Sequence, residues 1–205
     1  ELAYAAAESA GTDFALGSVG AGHGATTATF KGGIGTASAR TRDGVTVAAL
    51  VAANAAGSMV VGDGPHFWAA PFEQDGEFGG RGFPAFLPPE ALEIRTKGAP
   101  RANTTLVLVA TDAILTKSQA KRLAVMAQDG VARAIYPVHT PLDGDVVFTV
   151  STGLRPLPDP VFGLMRLGAE AANVVARAIA RGVYEAAALP FANAQPCWRD
   201  RFGRG

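Results

Sequence analysis

The chain has 205 residues, 48% of them hydrophobic, with 18 basic and 18 acidic side chains, zero net charge and a pI near 7.1. That length suits one globular domain with a substantial core, and the neutral balance excludes nucleic acid or an anionic membrane surface as the main partner. One cysteine rules out an internal disulfide or a cysteine-based metal cluster, and with no transmembrane-length apolar run and no signal-type leader a cytoplasmic location is expected.

Residues 1–10 read as the last turns of a helix that ends at Gly11. The chain opens on Glu1 without a methionine, so a preceding segment is expected. Gly17-Ser-Val-Gly-Ala-Gly-His-Gly24 and Lys31-Gly-Gly-Ile-Gly-Thr-Ala-Ser38 are glycine-rich, which lets backbone approach backbone or a ligand closely. Gly20 to Ala25 fits a degenerate dinucleotide fingerprint, but no apolar strand precedes it and no helix pattern follows, so that reading is rejected. Lys31 is followed by Gly32, so there is no phosphate-binding Walker loop either.

Asp43-Gly44 is a turn signal between Thr36–Arg42 and the small-residue apolar strand Val45–Ala53, predicting a hairpin that ends at Asn54. Gly57–Val61 is expected to continue as strand. From Gly62 to Arg101 periodicity disappears and aromatics accumulate (Phe67, Trp68, Phe72, Phe78, Phe83, Phe86). A segment this long is either a functional loop whose aromatics line a substrate entrance, or a surface excursion tacked down by them.

Lys97-Gly-Ala-Pro-Arg101 then gives way abruptly to an apolar β-branched run, Thr104 to Val109, long enough for a buried strand. A hydroxyl residue opening such a strand, after the small polar Asn103, suits an N-terminal-nucleophile hydrolase. Thr104 can attack the Asn103 carbonyl, cut the chain, and become a new terminus that carries both a hydroxyl and an α-amine. That amine titrates near pH 7.7–8.0, so it serves as general base without a histidine. The plainer reading is a threonine starting a strand because it favours β structure.

Thr116 caps a helix expected through Asp129, closed by Gly130, with a short strand over 131–136. Asp143-Gly-Asp145 precedes the strand Val146–Ser151. Its two carboxylates can converge on one spot and orient the Thr104 amine, or it is simply a turn. Asn54 can donate to an oxyanion or end a strand; Lys31 can hold a carboxylate or sit in solvent. A long helix follows from Val161 to Ala188, buried through Leu164, Leu167, Ala171, Val174, Val175 and Ile179, and residues 190–205 read as an irregular basic tail. His23, His66, His139 and Cys197 form no metal-binding spacing and receive no role.

Taken in order, the two glycine-rich segments, Val45–Asn54, Asn103–Asp112 and Asp143-Gly-Asp145 closely resemble the P1 family of self-processing peptidases, peptidase family S58. This family includes L-aminopeptidase/D-esterases, β-peptidyl aminopeptidases and nylon-oligomer hydrolases. The resemblance implies a four-layer α/β/β/α sandwich, split into α and β subunits that stay together and form homo-oligomers of αβ units. It implies cleavage between Asn103 and Thr104 (1–103 ending the α subunit, 104–205 the β subunit) in a single catalytic domain lacking the family's amino-terminal portion. Thr104 matches the nucleophile, Asp143 and Asp145 the pair supporting it, Asn54 the oxyanion donor and Lys31 the lysine near the active site. Asp112 is taken as structural. Small peptide or amide substrates are implied, with no cofactor or metal; the Asn-Thr form resembles the nylon-oligomer and pantetheine-hydrolase branches, and Asp-Gly-Asp leans toward the nylon-type branch. Two alternatives stand beside this: an acyltransferase of the ornithine acetyltransferase type, and a non-catalytic scaffold.

Overall fold

The computed structural model describes residues 1–97 and 103–203. Four strands, β1 (Gly33–Arg40), β2 (Thr46–Ala53), β3 (Leu106–Ala113) and β4 (Val146–Arg155), form one sheet in sequence order. β1 and β2 make the expected hairpin, β2 and β3 pair antiparallel, and β3 and β4 pair parallel. A short exposed helix, α1 (Leu2–Glu8), comes first among the described residues. A parallel pair needs a crossover, and α2 (Lys117–Ala134) supplies it.

The strands alternate as period-two patterning requires. Val47, Ala49, Val51, Val107 and Val109 point to one face and are at most 2% exposed. Against that face lies α3 (Phe162–Tyr184), with α2 beside it. Small residues set the distance. A Cβ on Gly35 would stand 1.9 Å from the Ala178 carbonyl, and one on Gly33 would stand 2.5 Å from the Gly182 carbonyl, so β1 and α3 touch backbone to backbone. The glycine run after Lys31 is therefore a packing device.

The other face carries Leu50, Leu106, Leu108, Phe148 and Val150, apolar and 37–57% exposed. Of the four layers expected, the described residues form two, one helical and one β. The α/β class holds.

Several local expectations are corrected. Gly57–Val61 is not a strand: it makes isolated bridges, Ser58 with Tyr136 and Val60 with Phe67. α2 runs past Gly130 to Ala134, because Gly130 packs on α3 where a Cβ would meet the Ala172 carbonyl at 2.2 Å, and this removes the strand expected over 131–136. Thr116 caps α2 as expected, in a reciprocal capping box with Gln119. The tail is not irregular throughout. A short helix, α4 (Trp198–Phe202), ends the described chain, and its Trp198 is fully buried against Phe67, Tyr184 and Phe202. Phe78 packs edge-on to Phe67, and the Arg177 guanidinium of α3 clasps Glu77. The long aromatic segment is thus tacked onto the core, with two short 3-10 turns at Ala70–Phe72 and Pro89–Leu92. Asp112 is structural, as expected: it accepts from the Thr46 N–H and from Arg155. No helix among the described residues is long and apolar enough to cross a membrane.

Candidate active site

Strand β3 begins at Leu106, so Thr104 lies two residues before the start of a strand that is paired on both sides. Its backbone N–H donates to the Asn54 carbonyl (2.9 Å), just beyond the end of β2. The Asn103 carbonyl accepts from the Gly144 N–H (2.7 Å). One peptide unit, Asn103–Thr104, is therefore gripped at its oxygen by the turn before β4 and at its nitrogen by the end of β2. The Thr104 hydroxyl rests on Gly144, where an added Cβ would lie 2.7 Å from Oγ1. Only glycine leaves that hydroxyl its place.

The aspartates on either side of Gly144 organise backbone. Asp145 Oδ1 accepts from the Thr105 N–H (2.8 Å), and its Oδ2 lies 3.0 Å from His139 Nδ1. Asp143 Oδ1 accepts from the Ala56 N–H (2.9 Å), and its Oδ2 from the Thr140 hydroxyl and N–H (2.7 and 3.1 Å). The two carboxylates thus hold different neighbours of Thr104, one the Thr105 N–H just before β3 and one the loop after β2.

Lys31 lies in the glycine-rich segment that lines a cleft beside Thr104. The residue is 1% exposed, and its ammonium spends all three hydrogens on carbonyls, those of Gly22 (2.6 Å), Ala25 (2.7 Å) and Gly32 (2.8 Å). Burial pulls its pKa below the ordinary lysine value, and the charge interaction with Cys197 acts in the opposite direction. Burial pushes the Cys197 thiol up. Asn54 Oδ1 accepts from the Thr26 N–H (3.1 Å) and from Lys97 Nζ (2.8 Å), which fixes the amide orientation and makes Nδ2 its donating end.

The cleft beside Thr104 has a volume of about 990 Å³. Thr104, Asn54, Lys31, Lys97, Leu106 and Phe191 are among its lining residues. None of the six aromatics of the 62–101 segment lines it, which corrects the entrance reading in favour of packing.

A family model for peptidase family S58 matches residues 1–196. The chain belongs to peptidase family S58. Proteins named uncharacterized aminopeptidase in Mycobacterium tuberculosis and Mycobacterium bovis are each 40% identical over 216 aligned positions, covering 98% of this S58 chain and 61% of the relative. A Mycobacterium leprae aminopeptidase of the same description is 40% identical over 182 positions, covering 80% of the chain and 48% of the relative. The chain spans about three-fifths of the length of the first two relatives. Among solved structures it resembles a Burkholderia β-aminopeptidase (TM-score 0.62, 27% identity, 91% of this chain, 51% of that one). It also resembles a Pyrococcus horikoshii protein (TM-score 0.65, 27% identity, 98% and 56%). The L-aminopeptidase D-Ala-esterase/amidase of Ochrobactrum anthropi, described as a variant of the Ntn hydrolase fold, shares the fold (TM-score 0.62, 24% identity, 95% and 55%).

For this S58 chain the sequence-selected residues divide into two groups. Asn54, Asn103, Thr104, Asp143 and Asp145 are joined by the hydrogen bonds above; Lys31 shares the cleft but bonds only to backbone. Gly98 to Arg101, the basic half of the loop before Asn103, lies outside the described residues. Sequence reasoning missed three contributors. His139 and Thr140 sit directly before the Asp-Gly-Asp turn, a proximity that was legible. The Gly144 N–H was not, because a backbone donor leaves no mark in residue type.

Proposed function

We propose that this protein is an autoprocessing amide hydrolase whose nucleophile is Thr104. The observation that carries the reading is the double grip on the Asn103–Thr104 peptide, with its carbonyl oxygen on the Gly144 N–H and its nitrogen on the Asn54 carbonyl. A carbonyl oxygen held by a preset N–H is polarised for attack, and the fixed nitrogen keeps the adjacent hydroxyl in register with it. Thr104 Oγ adds to the Asn103 carbonyl carbon and the C–N bond breaks. The acyl group then rests on oxygen and the α-amine is free. Water hydrolyses this ester, leaving an Asn103 carboxylate and restoring the threonine hydroxyl. Two further facts favour cleavage. Asn103 Oδ1 and Thr105 Oγ1, flanking the bond, are buried without a hydrogen-bond partner among the described residues, and each such group costs about 1–3 kcal/mol. A released Asn103 end can hydrate.

In the processed enzyme the freed Thr104 amine inherits the Asn54 carbonyl as acceptor. It takes the hydroxyl proton as Oγ attacks a substrate amide and returns it to the leaving amine. Asn54 Nδ2 supplies a donor for the oxyanion, and Asp143 and Asp145 hold the segments on either side of the nucleophile. Lys31 acts as a positioning residue that ties the glycine-rich wall together. Small peptide or amide substrates, with an acyl-enzyme hydrolysed by water, and assembly into homo-oligomers of αβ units belong to the same proposal. The bare apolar face of the sheet supports the four-layer form, in which a second sheet covers it.

Intact-mass spectrometry with N-terminal sequencing tests the reading. Two masses summing to the chain plus one water, with a terminus at Thr104, are expected. A single uncleaved mass after long incubation overturns it in favour of a scaffold. Transfer of the acyl group to an added amine in preference to water would point to an acyltransferase.

A further inference from the structure

Asp145 is a carboxylate with 4% of its side chain exposed, and the Thr105 N–H satisfies only one of its oxygens. The other oxygen faces the imidazole of His139 at 3.0 Å. Nδ1 is therefore the protonated nitrogen of that ring. The Gln128 side-chain amide of α2 stands 3.4 Å from Nε2, on the far side of the ring. His139 adopts φ +51, a left-handed conformation uncommon outside glycine, asparagine, aspartate and histidine. The backbone on either side holds it there. Tyr136 and Ser58 exchange both backbone hydrogen bonds (2.8 and 2.9 Å), and Thr140 opens a turn closed by the Asp143 N–H (2.9 Å). The next residue, Thr140, holds Asp143 through its hydroxyl and N–H. Two adjacent residues thus each grip one member of the aspartate pair.

We infer that His139 is a positioning residue for the reaction, acting through Asp145 to fix the Thr105 N–H and with it the Thr104 nucleophile. This rests on the reading of Thr104 given above. His139 does not line the cleft, and its side-chain hydrogen bonds go to Asp145 and Gln128, not to Thr104, so its influence passes through the carboxylate. If that tie fails, Asp145 rotates, the start of β3 loosens at Thr105, and both self-cleavage and turnover slow, while the substrate-binding walls around Asn54 and Lys31 stay in place. Losing a hydrogen bond to a charged group predicts a fall in kcat of about tenfold to a hundredfold, with KM little changed.

The test compares His139→Ala and His139→Asn in the full-length protein. Asparagine tolerates the left-handed backbone and presents an N–H near the Nδ1 position, so it restores the tie without an imidazole. Self-cleavage rate is read by intact mass, kcat and KM on a small amide substrate, and Tm by calorimetry. Expected are slow splitting and low kcat in His139→Ala, recovery to within about threefold of wild type in His139→Asn, and losses in kcat not mirrored by loss of folded protein. A wild type that splits and turns over while His139→Ala keeps its kcat overturns this inference alone. So does an activity loss that follows Tm and is not recovered by asparagine. A wild type that neither splits nor turns over overturns the nucleophile reading and this one with it.

Discussion

Two sides of the site, of which the lysine side lines the cleft and the aspartate side does not, solve the same electrostatic problem with opposite signs. On one, a buried cation, Lys31, gathers three carbonyls of the glycine-rich segment. On the other, two anions, Asp143 and Asp145, collect the N–H groups of Ala56, Thr140 and Thr105. The cationic side has no ammonium hydrogen left over, so its charge serves architecture. The anionic side surrounds a peptide bond whose two ends are held by other backbone groups, and a hydroxyl lies against its central glycine. A charge spent on backbone builds a surface; a reactive group becomes useful when the surrounding bonds aim it without consuming it.

Substitutions on the two sides should differ accordingly. Thr104→Ala has the largest expected effect: the protein remains a single chain of 20.9 kDa by intact mass and shows no amide turnover. Thr104→Ser should still split. Asp145→Asn keeps the shape and removes the charge that holds the Thr105 N–H, lowering kcat by about a hundredfold in steady-state assays. Gly144→Ala puts a Cβ 2.7 Å from Thr104 Oγ1, displacing the hydroxyl while retaining the Gly144 N–H, so self-cleavage should slow by about tenfold or more. On the cationic side, Lys31→Met leaves three carbonyls without their donor. The expected cost is about 3 kcal/mol, or roughly 6–12 °C of Tm for a domain of this size, measured calorimetrically on Thr104→Ala to separate stability from processing. A Lys31→Met protein with unchanged Tm but abolished turnover would reverse the assignment and make the lysine catalytic.

The smallest effect is a pH slope. Because burial lowers the folded-state pKa of Lys31, the unfolded chain holds that proton more tightly. The folded state therefore gains stability from this group as pH rises from the lowered value toward the 10.5 of free lysine, and nothing further beyond it. The slope of denaturant midpoint against pH across that window should flatten in Lys31→Met.

Much of this was legible along the chain where one strong local rule applied. The hairpin around Asp43-Gly44, the capped start of α2 at Thr116 and the buried stripe of α3 follow from turn chemistry, capping and a 3.6-residue period. Residues 131–136 were misread because their apolar run suits a strand or a buried helix equally, and Gly130 resembles a stop signal until α3 is seen pressing on it. Trp198 was lost in a basic tail, since a single aromatic carries no period, yet it anchors the cluster that pins the aromatic segment.

What the sequence by itself determined is the chemistry at hand: a hydroxyl before an apolar strand, an Asp-Gly-Asp turn, an asparagine ending a strand, and a lysine among glycines. Their order along the chain identified the family. Only the tertiary structure decided which of these groups touch. The parallel pairing of β3 with β4 brings Gly144 beside Asn103, and the antiparallel pairing of β2 with β3 brings Asn54 beside Thr104. The decisive donors and acceptors there are backbone N–H and carbonyl groups. Nearly every residue has both, so only register can say which of them meet.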